Sequence, residues 1–235
     1  MNYNDPMVET QKIEYNSSVQ TTLFQKVFIW MALALGITGL TSMLVFNSSF
    51  GYMLFTNRTL FWGILIAELV LVFGVTAAIN RISFAAATGL FILYSVLNGI
   101  TLSWIFMVYT YSSIATTFFI TAGMFGGMAL IGYFTKKDLS SWGNILFMAL
   151  LGLIIASVVN IFMKSTAIYW ITTFVGVILF VALTAYDVNK IKNMFREMPV
   201  VDDTAKKMAL LGALSLYLDF INLFLYMLRI FGRRN

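Results

Sequence analysis

The sequence predicts an all-α integral membrane protein with seven transmembrane helices. Three observations carry that prediction. Of 235 residues, 60% are hydrophobic and only 11% are charged, which is far too apolar for a water-soluble domain. The apolar residues fall into long runs broken by short polar junctions, whereas a membrane barrel would alternate in segments of about ten residues. Each run is close to the roughly 20 residues that a helix needs to cross the hydrocarbon.

The runs lie near residues 27–46, 59–79, 84–107, 114–134, 145–163, 167–188 and 209–231. NSSFGYMLFTNR separates the first two, and NRIS, YTYSS, TKKDLSSWGN and KST punctuate the next four junctions. The longest connection, NKIKNMFREMPVVDDTAKK, precedes the last run. Residues 1–22 read as a polar cytoplasmic N-terminal tail, unstructured by composition, and residues 23–235 as the transmembrane domain. Asp5, Glu9 and Glu14 ahead of the first run do not fit a cleaved secretory signal, so the first helix is expected to be retained.

With alternating sides, Lys12, Lys26, Arg81, Lys136, Lys137, Lys190, Lys192, Arg196, Lys206 and Lys207 share one face, ten of the fifteen Lys and Arg. That face is expected to be cytoplasmic, with the N-terminus on it and the C-terminus outside. Arg58, Lys164, Arg229, Arg233 and Arg234 fall on the other side, three of them at the extreme C-terminus, against the rule. A re-entrant last segment would improve the count to thirteen against two. Residues 209–231 are nevertheless long enough to cross and lack breakers, so a full seventh span is the reading adopted.

Composition excludes several chemistries. No cysteine means no disulfide, thiolate metal site or cysteine nucleophile, and no histidine removes histidine-ligated zinc, haem axial histidines and Ser-His-Asp triads. No cofactor and no enzymatic activity are expected. The net charge of +5 lies in loops between apolar runs, which speaks against a nucleic-acid partner. The glycines of GMFGGMALIG (123–132) and GLIIAS (152–157) are expected at close helix approaches, and the Met and Phe residues as lipid-facing or core filler.

Three acidic residues lie in or at the edge of spans: Glu68, Asp187 and Asp219. A central aspartate costs on the order of 2.5 to 3.5 kcal/mol by insertion scales, so it needs shielding and a reason. Asp187, in FVALTAYDVNKIK, ends the sixth run, and Asp219 lies about eleven residues into the seventh, which starts from the same side. At 1.5 Å per residue the two fall within two or three turns of equal depth. Carboxylates about 4 Å apart repel by about 4 kcal/mol at an effective dielectric of 20, enough to hold one proton on the pair near neutrality. A chain without histidine could sense pH in this way. Bland alternatives stay open: Asp187 as a solvated helix end, and Asp219 as a structural hydrogen bond to Asn222 or a tyrosine. Glu68 reads as a polar station on a pathway or as a partner of Asn98 or Asn160.

LSLYLDFINLFLYMLRIFG (214–232), TAYD before a basic stretch, NGITLS (98–103) and TKKDLS (135–140) together resemble the Bax inhibitor-1 family, from about residue 20 to the C-terminus. AGMFGGMALIGYFTKKDLSSWGN and the short tail resemble its bacterial inner-membrane branch. The resemblance implies six helices surrounding a central C-terminal seventh, and a pH-sensitive calcium leak. It implies that Asp187 and Asp219 form the pH sensor and gate, with weak, transient calcium contact, and that Arg81 is a latch to the pair. Family latches can sit in a basic cluster, whereas Arg81 stands alone in INRIS. Glu68, Asn98, Asn160 and Asn222 are candidate polar residues along the pathway.

Two other classes compete. Paired membrane aspartates also serve intramembrane aspartyl proteases, and TAYD echoes one of their motifs, but Asp219 lies in SLYLDF rather than a Gly-x-Gly-Asp turn. No Pro-Ala-Leu follows, the only prolines being Pro6 and Pro199. The second is a membrane-embedded regulator that binds a membrane protease, as some bacterial relatives do. A secondary transporter would call for an internal repeat, and none is visible. The expected partners are the lipid bilayer, calcium ions and protons.

Overall fold

The computed structural model describes residues 6–235 other than Glu197 and Pro199, with side chains from Ser18 onward. Its helices are α1 (Pro6–Phe46), α2 (Ser49–Thr56), α3 (Arg58–Ala78), α4 (Phe84–Leu102), α5 (Ile105–Val108), α6 (Tyr111–Phe134), α7 (Gly143–Met163), α8 (Thr166–Arg196) and α9 (Asp203–Phe231), with a 3-10 turn at Ser140–Trp142 before α7. Among the described residues there is no strand, only an isolated antiparallel bridge between Tyr109 and Arg234.

Seven helical segments are long and apolar enough to cross a membrane: Ser18–Phe46, Arg58–Ala78, Phe84–Val108, Tyr111–Phe134, Ser140–Met163, Thr166–Arg196 and Asp203–Phe231. They correspond one for one to the seven apolar runs. Helix α1 reaches back to Pro6, into the segment whose composition reads as unstructured; residues 1–5 of that tail lie outside the described residues. NSSFGYMLFTNR is not plain punctuation either: Ser48 accepts the Gly51 N–H at 3.2 Å and starts the short helix α2. The long basic connection is helical at both ends, because Asp202 accepts the Ala205 N–H at 2.7 Å and starts α9 six residues before its apolar run.

Helix α9 runs unbroken for 29 residues, about 43 Å at 1.5 Å per residue, which is long enough to cross the hydrocarbon without a break. It is also the most enclosed span. In its most apolar stretch 67% of residues are buried, against 56% in the third span and 28% or less elsewhere.

The chain divides into two compact units. The first comprises Met1–Ser103 and Ile191–Leu214, and the second Trp104–Lys190 and Ser215–Asn235. In the first unit α4 packs against α1 and α3. Gly99 permits the α1 approach, since a Cβ there would lie 2.7 Å from both the Thr38 carbonyl oxygen and the Thr41 Cβ. Beside it the Thr38 hydroxyl donates to the Ser95 carbonyl at 2.9 Å. Leu23 and Val27 of α1 are fully buried, and Phe24 meets Phe195 edge to face at 5.7 Å.

In the second unit Phe220 of α9 packs edge to face on Phe118 and Phe125 of α6, at 5.3 and 5.5 Å. The glycine-rich stretch of α6 departs from the expectation of close packing. Only Gly132 is pressed against a neighbour, the Ala185 backbone of α8, whereas Gly123, Gly126, Gly127 and, in α7, Gly152 have nothing within 4 Å of an added Cβ. Asn189 of α8 ties down the turn after α6 by donating to the Gly132 carbonyl at 3.3 Å and accepting from the Leu139 N–H at 3.1 Å. In that turn Asp138 accepts from the backbone and hydroxyl of Ser140 at 2.9 and 2.6 Å. These two bonds favour the charged form and hold its carboxyl below the usual carboxylate range.

Candidate functional site

The seventh span carries Ser215, Asp219, Asn222 and Tyr226 at spacings of four, three and four, which puts them on one face of α9. Phe180, Leu183 and Asp187 recur on α8 at spacings of three and four, for the same reason. Both faces, together with Leu150, Leu153 and Ile154 of α7, line one cavity of about 350 Å³ in the second unit. Asp187 and Asp219 therefore share a chamber whose remaining wall is mostly apolar.

Their surroundings differ. Asp187 is half-buried, with Ser215 on the same cavity wall and Lys190 one turn further along α8. Asp219 is 6% exposed, and its Oδ2 has no hydrogen-bond partner. Asn222, the neighbour from which a structural bond was expected, turns its amide back to the Leu218 carbonyl at 2.8 Å. Tyr226 stacks on Phe180 at 5.8 Å with an interplanar angle of 26°. An unpaired carboxyl oxygen in such surroundings is costly, and the charge on Asp187 acts on Asp219 across the same cavity. The arrangement can hold and release a proton, and can offer oxygen ligands to a passing cation. Among the described residues no group of three or more acidic side chains is placed to hold a metal ion.

The other candidates lie elsewhere. Glu68 of α3 is buried in the first unit, where its Oε2 accepts from the Asn98 amide at 3.3 Å and its Oε1 from the Thr101 hydroxyl at 2.7 Å. The cross-helix bond between Glu68 and Asn98, one of the two readings of Glu68, is present. Thr101 was not singled out from the sequence, although it follows Asn98 by three residues and so shares its face. Asn160 belongs to the second unit, where its Oδ1 accepts the Ser165 N–H at 2.9 Å and closes the turn between α7 and α8. Arg81 belongs to the first unit, in the turn that ends α3, where its N–H bonds to the Ala78 carbonyl at 2.8 Å. Ser215 was also missed, and its signal was its position four residues before Asp219.

Comparison with known proteins adds the following. Residues 20–235 match the family model described as "Inhibitor of apoptosis-promoting Bax1". The chain is 50% identical to the inner membrane protein YbhL of Escherichia coli over 224 residues, covering 94% of this chain and 95% of that one. It is 40% identical over 229 residues to an uncharacterized protein of Borreliella burgdorferi, covering 97% and 99%. An uncharacterized membrane protein of Streptococcus pyogenes is 36% identical over 217 residues, covering 90% and 93%.

Proposed function

The chain belongs to the Bax inhibitor-1 family of membrane proteins, and on that premise we propose that it is a pH-sensitive calcium leak channel gated by Asp187 and Asp219. The observation that carries this reading is the shared cavity, in which Asp219 keeps an unpartnered carboxyl oxygen opposite a second acid. The chain is read as residing in the bacterial inner membrane, as the name of the Escherichia coli relative states for that protein. Its N-terminus is read as cytoplasmic and its C-terminus as outside.

Mechanistically, one proton shared between the acids relieves their repulsion. Asp187 is half-buried and one turn from Lys190, whereas Asp219 is buried and has no donor at Oδ2. The shared proton therefore rests on Asp219 and the charge on Asp187. In the closed state a basic latch meets that charge, a role that falls to Arg81 on the family resemblance alone. A second proton removes the anion and releases the latch, so acid favours the open state. Calcium is the transported ion rather than a resident cofactor, because two carboxylates bind a hard cation too weakly to retain it. No enzymatic step is part of this reading.

Calcium flux into liposomes carrying Asp187→Asn protein tests it. The reading expects a pH response that is flattened relative to the unsubstituted chain, and an unchanged response would remove Asp187 from the gate.

A further inference from the structure

A second cavity, of about 620 Å³, opens where the turn between α7 and α8 faces the last turn of α9. Its wall carries three cations, Lys164, Arg229 and Arg234, and no acidic residue. None of the three takes part in an ion pair among the described residues, where Lys206 pairs with Asp203. These are three of the five basic side chains that the charge rule leaves on the non-cytoplasmic side. Residues that oppose the rule are thus gathered around one hollow.

Each cation is held in place. Arg229 lies over the rings of Tyr226 and Tyr169, at 4.8 and 5.5 Å, and these contacts hold its guanidinium at the cavity wall. Arg234 bridges to Tyr109 in antiparallel fashion, and the Thr110 N–H donates to the Arg233 carbonyl at 3.0 Å, which fastens the C-terminal tail beside the cavity. Lys164 ends α7 with φ 51° and ψ 33°, the left-handed conformation normally given to glycine or asparagine. A lysine strained into that position suggests that its charge is wanted there. The start of α8 at Thr166 adds its own positive end to the same wall.

The occupant must be an anion with an apolar part. Trp170 stands on the cavity wall, and Phe162, Met163, Ile171 and Phe174 project from the adjoining ends of α7 and α8, 54–80% exposed. With no carboxylate to receive an ammonium group, the wall does not suit a zwitterionic headgroup. We propose that this cavity seats the phosphate of an anionic phospholipid, whose acyl chains lie along the exposed faces of α7 and α8.

Thermal unfolding of the full chain in detergent tests the proposal, with titrations of phosphatidylglycerol, phosphatidylethanolamine and inorganic phosphate. Phosphatidylglycerol should raise the midpoint by a few degrees and the other two should not. Lys164→Gln/Arg234→Gln protein should keep the lipid-free midpoint and show about tenfold weaker apparent affinity for phosphatidylglycerol. Should the double variant fail to fold, Arg234→Gln alone, in the exposed tail, should show a smaller loss of the same kind. Equal shifts with the two lipids, or a full phosphatidylglycerol response in the variants, would overturn the site. A shift reproduced by inorganic phosphate alone would make the ligand a soluble anion and overturn its assignment to lipid.

Discussion

Asp187 of α8 and Asp219 of α9 line the same cavity, yet Asp187 is half-buried one turn from Lys190, while Asp219 is 6% exposed and keeps a buried oxygen with no partner. One chamber thus holds both acids and gives them unequal surroundings.

Glu68→Ala removes the cross-helix acceptor of the Asn98 amide and the Thr101 hydroxyl, the latter keeping its bond to the Asn98 carbonyl at 3.0 Å. The expected loss is about 1–3 kcal/mol of stability, read from unfolding in mixed micelles. Glu68→Gln, which retains one carbonyl acceptor, should lose less.

Gly99→Leu drives a side chain into the Thr38 carbonyl and the Thr41 side chain at the α1–α4 contact. Overpacking of this kind costs about 1–3 kcal/mol. Gly126→Ala, by contrast, places its methyl where nothing lies within 4 Å and should not lower the unfolding midpoint.

Asp138 gives a pH-dependent prediction outside the membrane. Its carboxyl is held low by two bonds from Ser140, so its contribution is present above the unfolded-state value and is lost as pH falls through the folded one. Asp138→Ala should therefore lower the thermal midpoint slightly at neutral pH and not at all in strong acid. The carboxyl is fully exposed, so the effect should be small and should weaken with salt.

The spans were legible because twenty apolar residues in succession have few other uses, and an all-helical chain follows from the need to satisfy every backbone group within lipid. Asp219 was legible because a charge in such a run stands out. Partners were harder to read. Ser215 and Thr101 are ordinary residues in membrane helices, and only the facing helix shows what stands opposite them. The glycines of α6 misled for a related reason: small residues permit close approach but do not require it, and only Gly132 meets a neighbouring backbone. The N-terminal segment is polar, yet it continues α1 back to Pro6, because a helix already formed can extend into residues that would not start one. Two of the basic residues near the C-terminus, Arg229 and Arg234, looked like an orientation problem until the structure placed them with Lys164 around one cavity.

The most direct test of the gate is calcium flux through Asp187→Asn/Asp219→Asn protein in liposomes, measured from neutral to mildly acidic pH. With both acids neutral at every pH, the account predicts flux at the level the unsubstituted chain reaches in acid, with no further response to protons. A pH response of ordinary size in that protein would contradict it.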